Sequence, residues 1–156
     1  MKILVIYDSL FGNTKKIAEA IFDSLLSSNK IRLVNAVEVT IKDLEKIDML
    51  IVGSPTHGGR AKQNLQTFLD QLPNSILKGT KVAVFDTRFL EKDQTFLLRL
   101  LLKTIGYAAP KIAKNLKNKG GNLIVEPEGF IVKRKEGPLA EGELERAKSW
   151  GEKLKI

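Results

Sequence analysis

Short apolar runs alternate with amphipathic stretches along the chain. Ile3 to Tyr7 is continuously apolar and is bounded by Asp8 and Ser9. A short, uninterrupted run of this kind predicts a strand buried on both faces, as in a parallel sheet. After Gly12-Asn13-Thr14, apolar residues recur at helical spacing (Ile17, Ala18, Ile21, Phe22, Leu25, Leu26) until Ser27-Ser28-Asn29. Ile31 to Val39 gives a second, weaker strand, and Ile41 to Lys46 a short helix. Met49 to Val52 is another buried run, ending at Gly53. Ala61 to Leu72 predicts a helix stopped by Pro73, and Val82 to Phe85 a fourth strand. Pro110 to Lys119 is helical, with Gly120-Gly121 just past its end. Leu123 to Val125 is a fifth strand, interrupted at Glu126-Pro127-Glu128-Gly129 and resumed over Phe130 to Val132. Glu141 to Leu154 forms a closing helix.

Five strands alternating with helices predict an α/β fold, a doubly wound parallel sheet with helices on both faces. The 156 residues suit a single domain, with no repeat, linker or low-complexity tract. Ligands in such sheets bind outside the carboxyl ends of the strands, where the strand order reverses.

Composition narrows the chemistry. There is no cysteine, which excludes disulfides, iron–sulfur clusters and thiolate zinc sites, and one histidine, His57. Redox or transfer chemistry would therefore rest on a bound organic cofactor. The net charge of +8 favours anionic ligands or partners. With 6% aromatic residues and no nucleic-acid-binding motif, nucleic acid is not expected as a partner. No apolar stretch reaches the roughly 20 residues of a spanning helix, and Ile3–Tyr7 is too short for a signal-peptide core. A cytoplasmic location is the expectation.

Three strand ends carry unusual residues. Ser9-Leu10-Phe11-Gly12-Asn13-Thr14 leads from a strand into a helix N-terminus, whose amides lack intrahelical partners and suit an anion. Ser9, Asn13 and Thr14 add polar side chains, and Gly12 permits close backbone approach. The same residues also fit an ordinary strand–helix turn with a cap. No Gly-x-x-x-x-Gly-Lys precedes Thr14, and Gly12 stands outside any Gly-x-Gly-x-x-Gly. Both absences point to a mononucleotide phosphate.

Val5-Ile6-Tyr7-Asp8-Ser9-Leu10-Phe11-Gly12-Asn13-Thr14, with Ala18 and Ile21, resembles the flavodoxin signature. Gly53-Ser54-Pro55-Thr56-His57-Gly58-Gly59 is similar to the family's second flavin loop, and Asp86-Thr87-Arg88-Phe89 falls where the third belongs. The resemblance covers the chain except Leu90 to Tyr107. It implies strand order 2-1-3-4-5 with FMN at the switch point, a placement for which flavodoxin is the standard example. It also assigns roles. Ser9, Phe11, Gly12, Asn13 and Thr14 would hold the FMN phosphate. Pro55, Thr56, His57, Gly58 and Gly59 would line one side of the isoalloxazine, with Gly58 at the peptide near flavin N5 that turns over on reduction. Asp86, Thr87, Arg88 and Phe89 would line the other side, Phe89 stacking on the ring.

The chain departs from the family pattern in three ways. The family usually sandwiches the flavin between aromatics, yet Trp150 lies in the last helix, where it should anchor that helix on the sheet, and His57 stands where an aromatic is expected. Flavodoxins are typically acidic, whereas this chain is basic. One uncompensated charge near the ring is worth about 1 kcal/mol, or roughly 40 mV for one electron. Arg88 and Arg60 would thus favour the reduced, anionic flavin, or the charge would serve an acidic partner. Finally, residues 92–105 predict a helix within an insertion at 90–107. Its apolar positions Phe96, Leu97, Leu98, Leu100, Leu101, Leu102 and Ile105 leave only a narrow polar stripe. Intrachain packing, a homo-oligomer interface and a lid all fit that pattern.

The expected function is electron transfer between redox partner proteins by a flavodoxin-like FMN protein. An FMN-dependent oxidoreductase acting on a quinone-like or porphyrinogen-like substrate is the alternative, and a flavin-free phosphate-binding module is a third.

Overall fold

A computed structural model describes residues 1–28, 30–89 and 106–155. The elements are β1 (Lys2–Tyr7), α1 (Asn13–Leu25), β2 (Lys30–Asn35), β3 (Met49–Pro55), α2 (Gln63–Gln71), β4 (Lys81–Phe89), α3 (Ala108–Asn118), β5 (Asn122–Leu123), β6 (Glu128–Val132) and α4 (Glu143–Lys153). The helix expected over 92–105 lies outside the described residues.

The strands pair in the order β2-β1-β3-β4-β5, all parallel, as expected. The fifth strand is split as the sequence suggests: β5 pairs with the start of β4, and β6 pairs with Phe85–Phe89 at its end. The register sets Tyr7 beside Gly53, and Gly53 beside Phe85. The carboxyl ends of β1, β3 and β4 therefore lie together, and their loops leave the same edge of the sheet.

Period-two alternation sends successive side chains to opposite faces. Leu4, Ile6, Leu50, Val52, Val82 and Val84 pack against Leu65 and Leu69 of α2 and Ile112 and Leu116 of α3. Ile3, Val5, Ile51, Ala83 and Phe85 pack on Ile17 and Ile21 of α1 and Ala147 and Trp150 of α4. Both faces are thus covered, which is why β1, β3 and β4 read as unbroken apolar runs. Trp150 anchors α4 as expected. It meets Phe85 (centroids 6.2 Å apart) and Phe130 (6.3 Å), and these two meet each other at 6.0 Å, all edge to face. Such pairs add about 0.5–1.5 kcal/mol each beyond burial. Gly53 makes room for this cluster, because a Cβ there would overlap the Phe85 ring.

Some boundaries differ from expectation, each for a local reason. β2 stops at Asn35 rather than Val39, because the Asn35 side chain accepts the Val37 amide (3.0 Å) and turns the chain. The helix expected over Ile41–Lys46 is a single 3₁₀ turn, Ile41–Leu44, opened by a capping box in which Asp43 accepts the Thr40 amide (2.8 Å) and hydroxyl (3.0 Å). That amide and the Arg32 guanidinium hold the Asp43 carboxyl below its usual pKa.

Candidate functional site

The first loop is built on Asp8, a fully buried carboxylate at the end of β1. Asp8 accepts the Ser9 amide (2.9 Å), pairs with Lys62 Nζ (3.1 Å) and accepts the Leu65 amide (3.3 Å). One side chain thus ties the loop to the start of α2. Ser9 Oγ then accepts the Gly12 amide at 3.0 Å. Gly12 has φ 89°, a left-handed turn glycine enters without strain, and it delivers the chain into α1. No side chain caps α1, so its opening amides stay available to an anion beside Ser9, Asn13 and Thr14. Thr14 Oγ1 meets Thr87 Oγ1 at 2.7 Å and links this loop to the end of β4.

The second loop is a tight hairpin. His57 and Arg60 exchange both backbone hydrogen bonds at 2.9 Å. Gly58 (φ 53°) and Gly59 (φ 74°) fill its two central positions, the backbone pattern of a type I′ turn. The Thr56 amide donates to Thr87 O (2.9 Å), and Thr56 Oγ1 accepts the Ala108 amide (3.0 Å). The hairpin is thereby fastened to β4 and to α3. His57 Nε2 is buried with no hydrogen-bond partner among the described residues. Such an atom is costly unless a ligand satisfies it.

The third strand end contains a closed ion pair. Arg88 Nε and Nη2 donate to Asp86 Oδ1 (2.7 Å) and Oδ2 (2.8 Å). Asp86 also accepts the Ala109 amide (2.9 Å). The guanidinium lies 3.7 Å over the Tyr107 ring, and a Cβ at Gly129 would overlap it from β6. Arg88 is therefore not the uncompensated charge expected beside a ring, because its charge is matched by a buried carboxylate. Arg60 closes the hairpin through its backbone, and its side chain is exposed outside the cavity.

The loop after β6 is the fourth contributor. Val132 bridges to Leu139, Lys133 N donates to Pro138 O (2.8 Å), and Gly137 N to Arg134 O (3.0 Å). Lys135 and Glu136 form the tip of this turn. Behind it, Glu143 accepts the Ile131 amide (2.6 Å) and pairs with Arg146, which also reaches Glu128 (2.9 Å). Burial pushes the Glu143 carboxyl up, but the Arg146 and Ile131 hydrogen bonds outweigh it, and the pKa ends below the ordinary value. Arg146 is correspondingly held more firmly protonated, chiefly by Glu143.

These loops enclose a cavity of about 390 Å³, within the usual range for cofactor pockets. Of the residues expected from sequence, Ser9, Phe11, Asn13, Thr14, Pro55, Thr56, His57, Gly58, Gly59, Thr87, Arg88 and Phe89 line it. Gly12 and Asp86 do not: Gly12 shapes the turn, and the Asp86 side chain lies beneath the site against Arg88 and α3. Leu10, Gly106, Tyr107, Val132 and Lys135 line the cavity without having been anticipated. Leu10, Phe11 and Phe89 are 51%, 47% and 39% exposed, an apolar rim at its mouth. No carboxylate is among the described lining residues. Open helix amides, hydroxyls, an apolar rim and an unpartnered imidazole fit a phosphorylated aromatic ligand. Among the described residues no three or more His, Cys, Asp or Glu side chains gather as a metal site would need, and no described helix is long and apolar enough to cross a membrane.

The family model described as flavodoxin domain matches residues 4–119. A flavodoxin of Aquifex aeolicus is 40% identical over 73 residues, 46% of this chain and 40% of that protein. A flavodoxin-like domain-containing protein, BilS, of Clostridioides difficile is 36% identical over 87 residues, 56% of this chain and 47% of that one. These alignments span under half the length of either relative. Among solved structures, a flavodoxin from the domain Archaea superposes with a TM-score of 0.76 at 22% identity, covering 99% of this chain and 96% of that one. Flavodoxin 2 of Bacillus cereus superposes with a TM-score of 0.72 at 25% identity, covering 97% and 95%.

Proposed function

The chain belongs to the flavodoxin domain family, whose cofactor is FMN; on that premise we propose that it is a cytoplasmic electron carrier, exchanging electrons with redox partner proteins at the mouth of the cavity. The observation that carries this is the convergence of the three expected loops on one cavity outside the carboxyl ends of β1, β3 and β4. When bound, FMN supplies reversible one- and two-electron chemistry. The protein's part is to bind and tune it. The open end of α1, with Ser9, Asn13 and Thr14, takes the phosphate. The Pro55–Gly59 hairpin takes one side of the ring system, and Thr87, Arg88 and Phe89 the other. The His57 imidazole supplies a polar contact to the flavin edge. Gly58 keeps its peptide free to present either its N–H or its C=O to the ring, because a glycine adopts both turn conformations cheaply. Leu10, Phe11 and Phe89 give the rim an apolar surface on which a partner can exclude water. The basic surface suits an acidic partner.

The test is an absorption spectrum of the purified protein, followed by release and identification of any flavin. FMN at one per chain is expected, reduced and reoxidised reversibly without turnover of NAD(P)H. A double Asn13→Ala, Thr14→Ala variant should bind it far more weakly, since each charge-assisted hydrogen bond to phosphate contributes about 1.5–3 kcal/mol. A colourless protein that gains no flavin from added FMN would refute the proposal. Steady turnover with NAD(P)H would make the protein an oxidoreductase instead.

A further inference from the structure

The turn after β6 is docked on the start of α1. Asn13 Nδ2 donates to Glu136 O at 3.1 Å. A Cβ at Gly137 would stand 2.8 Å from the same Asn13 amide. These two contacts hold the turn that carries Lys135 against the start of α1, and Lys135 lines the cavity together with Ser9, Asn13 and Thr14.

The charge of the cavity makes this placement consequential. Among the described lining residues only Arg88 and Lys135 are permanently charged, and none is acidic. Arg88 is matched by Asp86. Lys135 is exposed and forms no ion pair or hydrogen bond through its side chain among the described residues. Lys133 and Arg134, its neighbours in the turn, do not line the cavity. A phosphate monoester carries about −1.5 to −2 charge at neutral pH. The α1 end and the hydroxyls of Ser9 and Thr14 offer it hydrogen bonds but no full positive charge.

We propose that Lys135 supplies the countercharge at the phosphate end of the cavity. It makes the chain select a phosphorylated flavin over the unphosphorylated one, through a residue far along the sequence from the phosphate loop. The proposal rests on the FMN assignment above. An exposed, solvated ammonium acts mainly by charge, so its contribution is sensitive to salt. Its loss should weaken binding of a doubly charged phosphate by roughly tenfold in a watery setting.

The test uses apoprotein of the full chain, stripped of flavin and titrated with FMN and with riboflavin by flavin fluorescence, at ~0.01 and ~1 M salt. Lys135→Gln should weaken FMN about tenfold at low salt, leave riboflavin unchanged within twofold, and flatten the salt dependence. Lys135→Arg should restore most FMN affinity, and Arg134→Gln should behave as wild type. Thermal unfolding of each apo variant confirms that the turn is intact. If Lys135→Gln binds FMN as tightly as wild type, the proposal is wrong. If it loses FMN and riboflavin in parallel, Lys135 only shapes the turn and the proposal is again wrong. Wild-type apoprotein that binds neither flavin overturns the FMN assignment itself, and the Lys135 proposal with it.

Discussion

Removing the Arg88 guanidinium should unsettle the protein more than it perturbs a flavin. The side chain is 18% exposed and makes two hydrogen bonds, of 2.7 and 2.8 Å, to a carboxylate that is 0% exposed. In Arg88→Gln, Asp86 keeps only the Ala109 amide among its described partners, at 2.9 Å. Leaving one member of a buried pair uncompensated costs about 3–5 kcal/mol. At about 2–4 °C of melting temperature per kcal/mol for a domain of this size, the apoprotein should melt roughly 6–20 °C lower. The same uncovered carboxylate would oppose added electron density on a flavin and lower its potential by tens of millivolts. The double variant Asp86→Asn, Arg88→Gln removes both charges. It should recover most of the lost stability and return the potential toward wild type, a non-additive pattern that a double-mutant cycle measures. The assays are thermal unfolding of the apo form and potentiometric titration of the holo form. If Arg88→Gln lowers the potential while melting as wild type does, the arginine acts as a free charge. The closed-pair argument would then fail.

Gly53→Ala should destabilise the protein by about 1–3 kcal/mol through overpacking, because the new methyl overlaps a Phe85 ring already held between Phe130 and Trp150; an unchanged urea midpoint would contradict this. Glu143 has a folded-state pKa below its ordinary 4.5, so its contribution is complete above that value and is lost as pH falls through the folded-state value. Glu143→Gln should therefore be less stable than wild type at pH 7 and should lose less stability on acidification below pH 4.5, as followed by unfolding across a pH series.

The parts of the fold legible in the sequence are those where local pattern and tertiary role coincide. The middles of β1, β3 and β4 are central and covered on both faces, so apolar residues suit them on both sides, and polar ones enter only towards their ends. β2 lies at the sheet edge, where only half of each side chain's surroundings are fixed, and an Asx turn rather than hydrophobicity ends it. The site divides in the same way. Residues that meet the cavity through their own loop, from Ser9 to Thr14 and from Pro55 to Gly59, can be recognised as contiguous strings. Tyr107 and Lys135 reach it only because α3 docks on Thr56 and the β6 turn docks on Asn13, and no spacing along the chain encodes those contacts. The Asp86–Arg88 pair did carry a signal: residues two apart on a strand share a face, and opposite charges there pair before either serves a ligand.

That pairing changes what the basic composition means. A net charge of +8 invites the expectation of a flavin made easier to reduce by a nearby arginine. Where the proposal places the ring, however, the arginine is balanced by Asp86, and the polar group left over among the described residues is the unpartnered Nε2 of His57. The unbalanced cation among the described lining residues is Lys135, carried on the turn that docks against Asn13 at the start of α1. On the proposed assignment, charge in this cleft is arranged along its length: Lys135 would act on the phosphate, which sets affinity, while charge is cancelled near the ring, which sets potential. Under that proposal binding strength and redox tuning fall to different residues, and substitutions at Lys135 and at the Asp86–Arg88 pair should move them independently.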